Sequence, residues 1–153
     1  MTSAAHAVEI VTERNTLLAF LEVLQSEQDA LVHGDAERVG ALASEKADLV
    51  ARLGQLGEER RHRLVSRALT ADRDGMESFL GRNPGAAAAW REVLSLAEKA
   101  QQLNQTNGLM INTRLGHTRQ ALAVLHSAAD ASGLYGPDGH PSTLTGGRQL
   151  GAV

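Results

Sequence analysis

The chain has 153 residues, a formal net charge of −3 and only 3% aromatic residues. It contains no cysteine, which excludes disulfides, thiolate metal sites and cysteine nucleophiles. With so few aromatic side chains, the core must be built from Leu, Val and Ala, which suits narrow seams between helices. The mild charge and the acidic N-terminal half argue against a nucleic-acid partner.

The N-terminus lacks the basic segment and the unbroken apolar run of a signal peptide. No stretch of 18 or more apolar residues occurs, so no membrane insertion is expected. Together with the absence of cysteine, this pattern favours a cytoplasmic protein.

The first predicted helix runs from about residue 2 to 32. Its seam has alternating spacings of four and three, at Leu17, Leu21, Leu24, Gln28 and Leu31. Gly34 is a plausible C-cap, and Asp35 is a good N-cap for a second helix. So short a link requires the two helices to run antiparallel as a hairpin.

The second predicted helix spans about residues 36–69. Its seam reads Val39, Leu42, Lys46, Leu49, Leu53, Leu56, Arg60 and Leu64. The run "EERRHR" at 58–63 has two interpretations. It is either a solvated helix face with local pairs such as Glu59 to Arg63, or a patch for an acidic partner.

A short helix is predicted at 71–80, with Thr70 as its cap. Asn83 and Pro84 then predict the start of a long helix over 86–130. The "NG" at 107–108 is a hairpin signal, but the heptad stays in phase across it, which favours a continuous or slightly bent helix. The predicted seam of the long helix is Trp90, Leu94, Ala97, Gln101, Asn104, Gly108, Ile111, Leu115, Thr118, Leu122, Leu125 and Ala129.

These elements predict an all-α fold, an elongated antiparallel hairpin or bundle with one very long C-terminal helix. Residues 1–130 are expected to form a single domain. Residues 131–153 are rich in Gly, Ser, Thr and Pro, which predicts a turn followed by a mostly disordered tail.

Motifs for catalysis and cofactor binding are missing. The sequence has no phosphate-binding loop, no His-Glu-x-x-His motif, no nucleophile elbow and no dinucleotide fingerprint. No two of the six histidines stand three or four residues apart on one helix. We therefore expect no enzyme activity, no cofactor and no metal site.

Two stretches of the long helix are candidates for binding. The polar stretch around Asn104, Asn107 and Asn112 is either a register device within the bundle or a groove for another chain's helix. The apolar face that follows, at Leu115 and beyond, needs a cover. The tail, a second copy in a weak homodimer, or a partner helix could provide it.

The segments "LNQTNGLMINTRLGHTRQALAVL" (103–125) and "GLYGPDG" (133–139) resemble the FlgN family of flagellar type III export chaperones. The resemblance implies a cytoplasmic chaperone that binds the C-terminal helices of the hook–filament junction proteins and delivers them to the export gate, with possible contacts to the export ATPase. It places substrate binding on the long helix, at Asn104, Asn107, Gly108, Ile111, Asn112, Leu115, Leu122 and Leu125.

The resemblance also implies gate docking by the turn that holds Leu134, Tyr135 and Gly136. The other interpretation of Tyr135 is that it packs back on its own bundle. An alternative for the whole chain is a coiled-coil adaptor or regulatory protein without an export role.

Overall fold

The computed structural model describes residues 3–132, and all the regular structure within them is helical. The predicted all-α class is therefore confirmed. The elements in chain order are α1 (Ser3–His33), α2 (Ala36–Val65), α3 (Arg73–Arg82), a 3₁₀ turn (Pro84–Ala86) and α4 (Ala87–Ser132).

The chain divides into two compact units, residues 1–110 and 111–153. The first unit contains α1, α2, α3 and the start of α4. Among the described residues, every buried side chain lies between His6 and Asn107. The hydrophobic core is thus a property of the first unit.

The link between α1 and α2 has the predicted caps. Gly34 adopts a left-handed conformation with φ 71°, which glycine reaches without steric cost. The backbone N–H of Asp35 donates to the carbonyl of Ala30 at 2.9 Å, and its side chain accepts from the N–H of Arg38 at 3.0 Å. One glycine and one aspartate therefore close the first helix and open the second.

The second helix ends at Val65, four residues before the predicted end at Leu69. Ala68 takes a left-handed conformation with φ 58°, and the N–H of Leu69 donates to the carbonyl of Leu64 at 3.0 Å. This is the hydrogen bond of a glycine-type C-cap made by an alanine, which explains why the sequence did not reveal it. The bend returns Leu69 to the core beside Leu64.

The short third helix is capped by Asp72, so the prediction of Thr70 as the cap was wrong. Asp72 accepts from the N–H of Gly75 at 3.0 Å, and the Thr70 hydroxyl donates to the same carboxylate. These two hydrogen bonds lower the pKa of Asp72. Asn83 is the N-cap residue at the predicted helix start before Pro84, but its side chain makes no cap hydrogen bond and donates instead to the carbonyl of Phe79 at 2.9 Å.

The buried seam of α1 differs from the predicted one. The prediction placed Leu21 and Gln28 in the seam, but both are only half-buried. Phe20 and Glu27 occupy the buried positions instead. The prediction placed Gln28 at this step because its spacing fitted the leucines, whereas the structure places Glu27 there, paired with Lys46. The observed seam keeps alternating spacings of four and three, at His6, Ile10, Glu13, Leu17, Phe20, Leu24, Glu27 and Leu31.

The predicted seam of α2 is confirmed. All eight of its residues are buried or half-buried, including the cations Lys46 and Arg60. Lys46 pairs with Glu27 and Arg60 with Glu13, so residue numbers rise along α2 as they fall along α1. The two helices are therefore antiparallel, as the short link requires.

The inward face of α4 is displaced by one residue from the predicted seam. Leu94 is 54% exposed, and Gln101 and Asn104 are also exposed. The predicted seam started from the large residues Trp90 and Leu94, whereas the core uses small alanines such as Ala89 and Ala100, which allow close helix approach. The helix continues unbroken through 107–108, as predicted. The inward positions are Ala86 in the 3₁₀ turn, then Ala89, Val93, Leu96, Ala100, Leu103 and Asn107.

A polar layer joins α1, α2 and α4 near residue 27. The Lys46 Nζ donates to both carboxylate oxygens of Glu27, at 3.1 and 3.3 Å. The Asn107 Nδ2 donates to the Glu27 Oε1 at 2.9 Å and to the carbonyl of Leu24 at 2.8 Å. Glu27 is only 2% exposed, and these hydrogen bonds from Lys46 and from the completely buried Asn107 explain how its carboxylate is tolerated there.

A second layer joins the same three helices at Glu13. The Arg60 guanidinium donates to both oxygens of Glu13, at 3.2 and 3.3 Å, and lies 4.7 Å from the Trp90 ring centre. From Glu13 to Glu27, and from Lys46 to Arg60, the spacing is 14 residues, which is two heptads. These charges therefore fix one antiparallel register.

The buried His6 continues the series one heptad earlier. Arg67 contacts its Nε2, and the same guanidinium lies 5.4 Å from the Phe79 ring centre. His6 is seven residues before Glu13, and Arg67 is seven after Arg60. The first unit thus carries three matched polar layers.

The basic run at 58–63 serves the bundle more than the solvent. Arg63 pairs with Glu9 of α1 at 2.7 Å, and only Arg61 makes a pair within the run, with Glu58 at 3.2 Å. The predicted local pair of Glu59 with Arg63 was wrong. The inter-helix pair is favoured because Arg63 is mostly buried, at 14% side-chain exposure, beside α1.

Removing the cation of the first layer tests the layer's role. Lys46→Leu leaves Glu27 buried without its cation, so the free energy of unfolding should fall by about 3 kcal/mol. Replacing Glu27, Lys46 and Asn107 together by leucine should restore most of that loss, because no unpaired charge remains. Urea unfolding followed by circular dichroism measures both effects.

Lys99→Leu is the matched control, since Lys99 is exposed on α4. It should change stability by less than about 0.5 kcal/mol. If Lys46→Leu behaved like this control, Glu27 would not depend on the layer.

Candidate partner-binding face of the long helix

Three of the predicted binding residues lie in the first unit, with different surroundings. Asn104 is exposed, Gly108 is half-buried and Asn107 is completely buried. The Asn107 amide nitrogen is used by Glu27 and by the Leu24 carbonyl. This arrangement supports the register interpretation for Asn107, while the Asn104 amide faces solvent.

The other predicted residues lie in the second unit. Ile111 is half-buried and Asn112 is exposed. Leu115, Leu122 and Leu125 are 48%, 50% and 64% exposed. We call the stripe of residues 111, 115, 118, 122, 125 and 129 the apolar seam.

The apolar seam is displayed on regular helix. Residues 111–132 are α-helical within α4, and the stretch contains five Ala, three Leu and two Arg, which are good helix formers. Intervals of three and four place the seam residues on one side of the helix. Val124, at 68% exposure, widens the apolar surface beside it.

An exposed seam of this kind can bind another helix through the hydrophobic effect. Full burial of a leucine side chain contributes about 1.5–3 kcal/mol relative to full exposure. Leucines that are already half-covered would each gain roughly 1 kcal/mol from a partner. Several apolar side chains at intervals of three and four residues are typical of surfaces that bind an amphipathic helix.

The other surface features of the described residues offer fewer groups that could bind a partner. A depression beside Trp90 is lined by Met76, Leu80 and Leu94, with Arg60, Arg73 and Glu77 among its charged neighbours. Within residues 3–132, no cluster of three or more His, Asp or Glu could hold a metal ion. No helix in this range combines the length and apolarity that a membrane span needs.

The predicted gate-docking residues Leu134, Tyr135 and Gly136 lie outside the described residues. Their predicted role is therefore still a prediction. The same applies to the interpretation in which Tyr135 packs against its own bundle.

Sequence reasoning missed the partner of Asn107. The usable signal was Lys46, a cation at a seam position of α2 that requires a carboxylate opposite it. In an antiparallel hairpin with this link, the acidic residue that faces Lys46 is Glu27. A buried amide on α4 then completes the layer.

The family of the chain follows from comparison with known proteins. The family model described as "FlgN protein" matches residues 1–143. The flagella synthesis protein FlgN of Yersinia enterocolitica is 29% identical over 142 residues, covering 91% of this chain and 86% of that protein.

Two further relatives carry the same name. The protein from Yersinia enterocolitica serotype O:8 / biotype 1B is 31% identical over 121 residues, covering 77% of this chain and 76% of its own length. The protein from Proteus mirabilis is 26% identical over 131 residues and covers 84% of both chains. No solved structure matches the chain significantly. With a family match over nearly its whole length, the chain belongs to the FlgN family.

Proposed function

We propose that this protein is a cytoplasmic chaperone of flagellum synthesis. It binds the C-terminal helical region of hook–filament junction proteins, prevents their premature assembly or degradation, and delivers them to the type III export gate. It acts by binding alone, without catalysis, cofactor or metal. Contacts with the export ATPase belong to the same proposal.

The exposed apolar seam is the observation that supports this function. A chaperone for helical clients needs an apolar surface that is available before the client arrives. Leu115, Leu122 and Leu125 offer one on a preformed helix, so little backbone ordering opposes binding. The relatives are named flagella synthesis proteins, which points to flagellar clients.

The polar residues before the seam contribute differently. The exposed amides of Asn104 and Asn112 can hydrogen-bond to a client, whereas Asn107 is used inside the bundle. Client binding is therefore assigned mainly to residues from 111 onward. The half-buried Ile111 and Gly108 lie where the seam begins.

Charging the seam tests the proposal directly. Leu122→Asp with Leu125→Asp should abolish co-purification with a junction protein, because each carboxylate would have to be desolvated in the complex. Both leucines are at least half exposed, at 50% and 64%, so the helical circular dichroism and the melting temperature should stay unchanged.

The matched control is Val32→Asp with Val50→Asp, at positions 62% and 51% exposed on α1 and α2. It adds the same charge outside the seam and should leave co-purification intact. Full retention of the junction protein by the Leu122/Leu125 variant would contradict the proposal and favour an adaptor without an export role.

Tyr135 is the proposed anchor for the export gate, together with Leu134 and Gly136. A tyrosine offers a large contact area and one hydroxyl with little side-chain entropy to lose. Tyr135→Ala should keep junction-protein binding and weaken retention on the immobilised cytoplasmic domain of the gate. A drop in thermal stability with unchanged gate binding would instead show that Tyr135 packs on its own bundle.

A further inference from the structure

The charges beside the apolar seam indicate which kind of helix fits it. The seam positions alternate by four and three, as the a and d positions of a coiled coil do. The flanking e and g positions decide partner choice in such pairs. On one side these are Asn112, Arg119 and His126, and on the other side Arg114, Ala121 and Ala128.

An arginine therefore stands on each side of the seam. Arg114 and Arg119 are exposed, and within residues 3–132 neither guanidinium has an ion-pair partner. The sequence contains no aspartate or glutamate between Glu98 and Asp130. The seam is thus flanked by positive charge that nothing along this stretch neutralises.

The bundle of this chain shows how cations at a helix interface are accommodated when the partner helix is present. The two cations at seam positions of α2 donate hydrogen bonds to carboxylates of α1, Lys46 to Glu27 and Arg60 to Glu13. By analogy, we expect the arginines that flank the apolar seam to pair with carboxylates on the helix that covers it.

Two other covers fit the charges less well. In a parallel pair of copies, Arg114 of one copy would face Arg119 of the other. In an antiparallel pair, each flank of the seam would face the same flank of the other copy. A second copy would therefore bring no carboxylate to the seam. Residues 133–153 contain one aspartate and one arginine, so they offer no surplus of negative charge. Neither the homodimer nor the tail supplies the missing partners.

We propose that the apolar seam recognises an amphipathic helix of another protein that carries Asp or Glu on both sides of its apolar stripe. This inference rests on the proposed function, in that the client helix occupies the seam, and it adds the chemistry by which the client is selected. Arg114 and Arg119 pair with the client's flanking carboxylates, while the leucines bury its apolar stripe.

Two synthetic 28-residue helices serve as probes for the full-length protein. Both carry Leu and Ile at the seam positions. One carries Glu at all flanking positions and the other carries Lys, so that like charges keep each probe from pairing with itself. Fluorescence anisotropy at low salt measures both affinities.

The Glu probe should bind about tenfold more tightly than the Lys probe, and the preference should shrink at about 0.5 M salt. Arg114→Glu with Arg119→Glu should reverse the preference. The control Arg38→Glu with Arg91→Glu changes two exposed arginines outside the seam and alters net charge equally, so it should keep the preference for Glu.

Equal binding of the two probes, or a preference unaffected by the seam reversal, would overturn the inference. So would a stable dimer in sedimentation that dissociates on Leu122→Asp with Leu125→Asp, because a second copy would then cover the seam.

The inference and the proposed function fail separately. A junction protein that binds the wild type and the Arg114/Arg119 reversal equally overturns only the inference. A Glu probe that binds while junction proteins do not contradicts only the proposed function.

Discussion

Two carboxylates on α1 lie almost out of water in a bundle that has few aromatic side chains to fill its core. Glu13 and Glu27 are tolerated there because Arg60 and Lys46 of α2 pair with them, and because α4 contributes Trp90 and Asn107 beside the pairs. A shift of α1 against α2 by one residue would leave a charge buried and unpaired. Leucine seams alone permit several registers, so we regard the polar layers as the feature that selects one of them.

That selection has a consequence for function. Under the proposed function, the protein must keep its own helices paired while it offers an apolar helix face to a client, and its core leucines resemble those of the seam. The polar layers separate the two tasks, since only the helices of the first unit carry matched charges at matched spacing. In the described part of the second unit, up to residue 132, Arg114 and Arg119 have no ion-pair partner and the leucines are exposed, which suits a surface that another chain covers.

Much of the fold was predictable because its signals are local. The hairpin turn needs only Gly34 and Asp35, and the α2 seam is set by regular spacing, so both predictions are confirmed. Some errors arose where a residue distant in sequence decides whether a local residue is buried. Gln28 was placed in the α1 seam, whereas the pair with Lys46 on α2 brings Glu27 there, and the seam of α4 was shifted by one residue because alanines such as Ala100 form the core there. The end of α2 was missed because Ala68 takes a conformation usually reserved for glycine. For the candidate site, the leucines after residue 110 could be read from spacing, but the burial of Asn107 depends on two other helices.

Amide hydrogen exchange of the full chain, with and without the C-terminal helical segment of a junction protein, tests the separation of the two tasks most directly. Binding should slow exchange at residues 111–131 and leave the amides of residues 86–107 unchanged, since these are already held in the bundle. Slower exchange confined to α1 and α2, with none at residues 111–131, would contradict it.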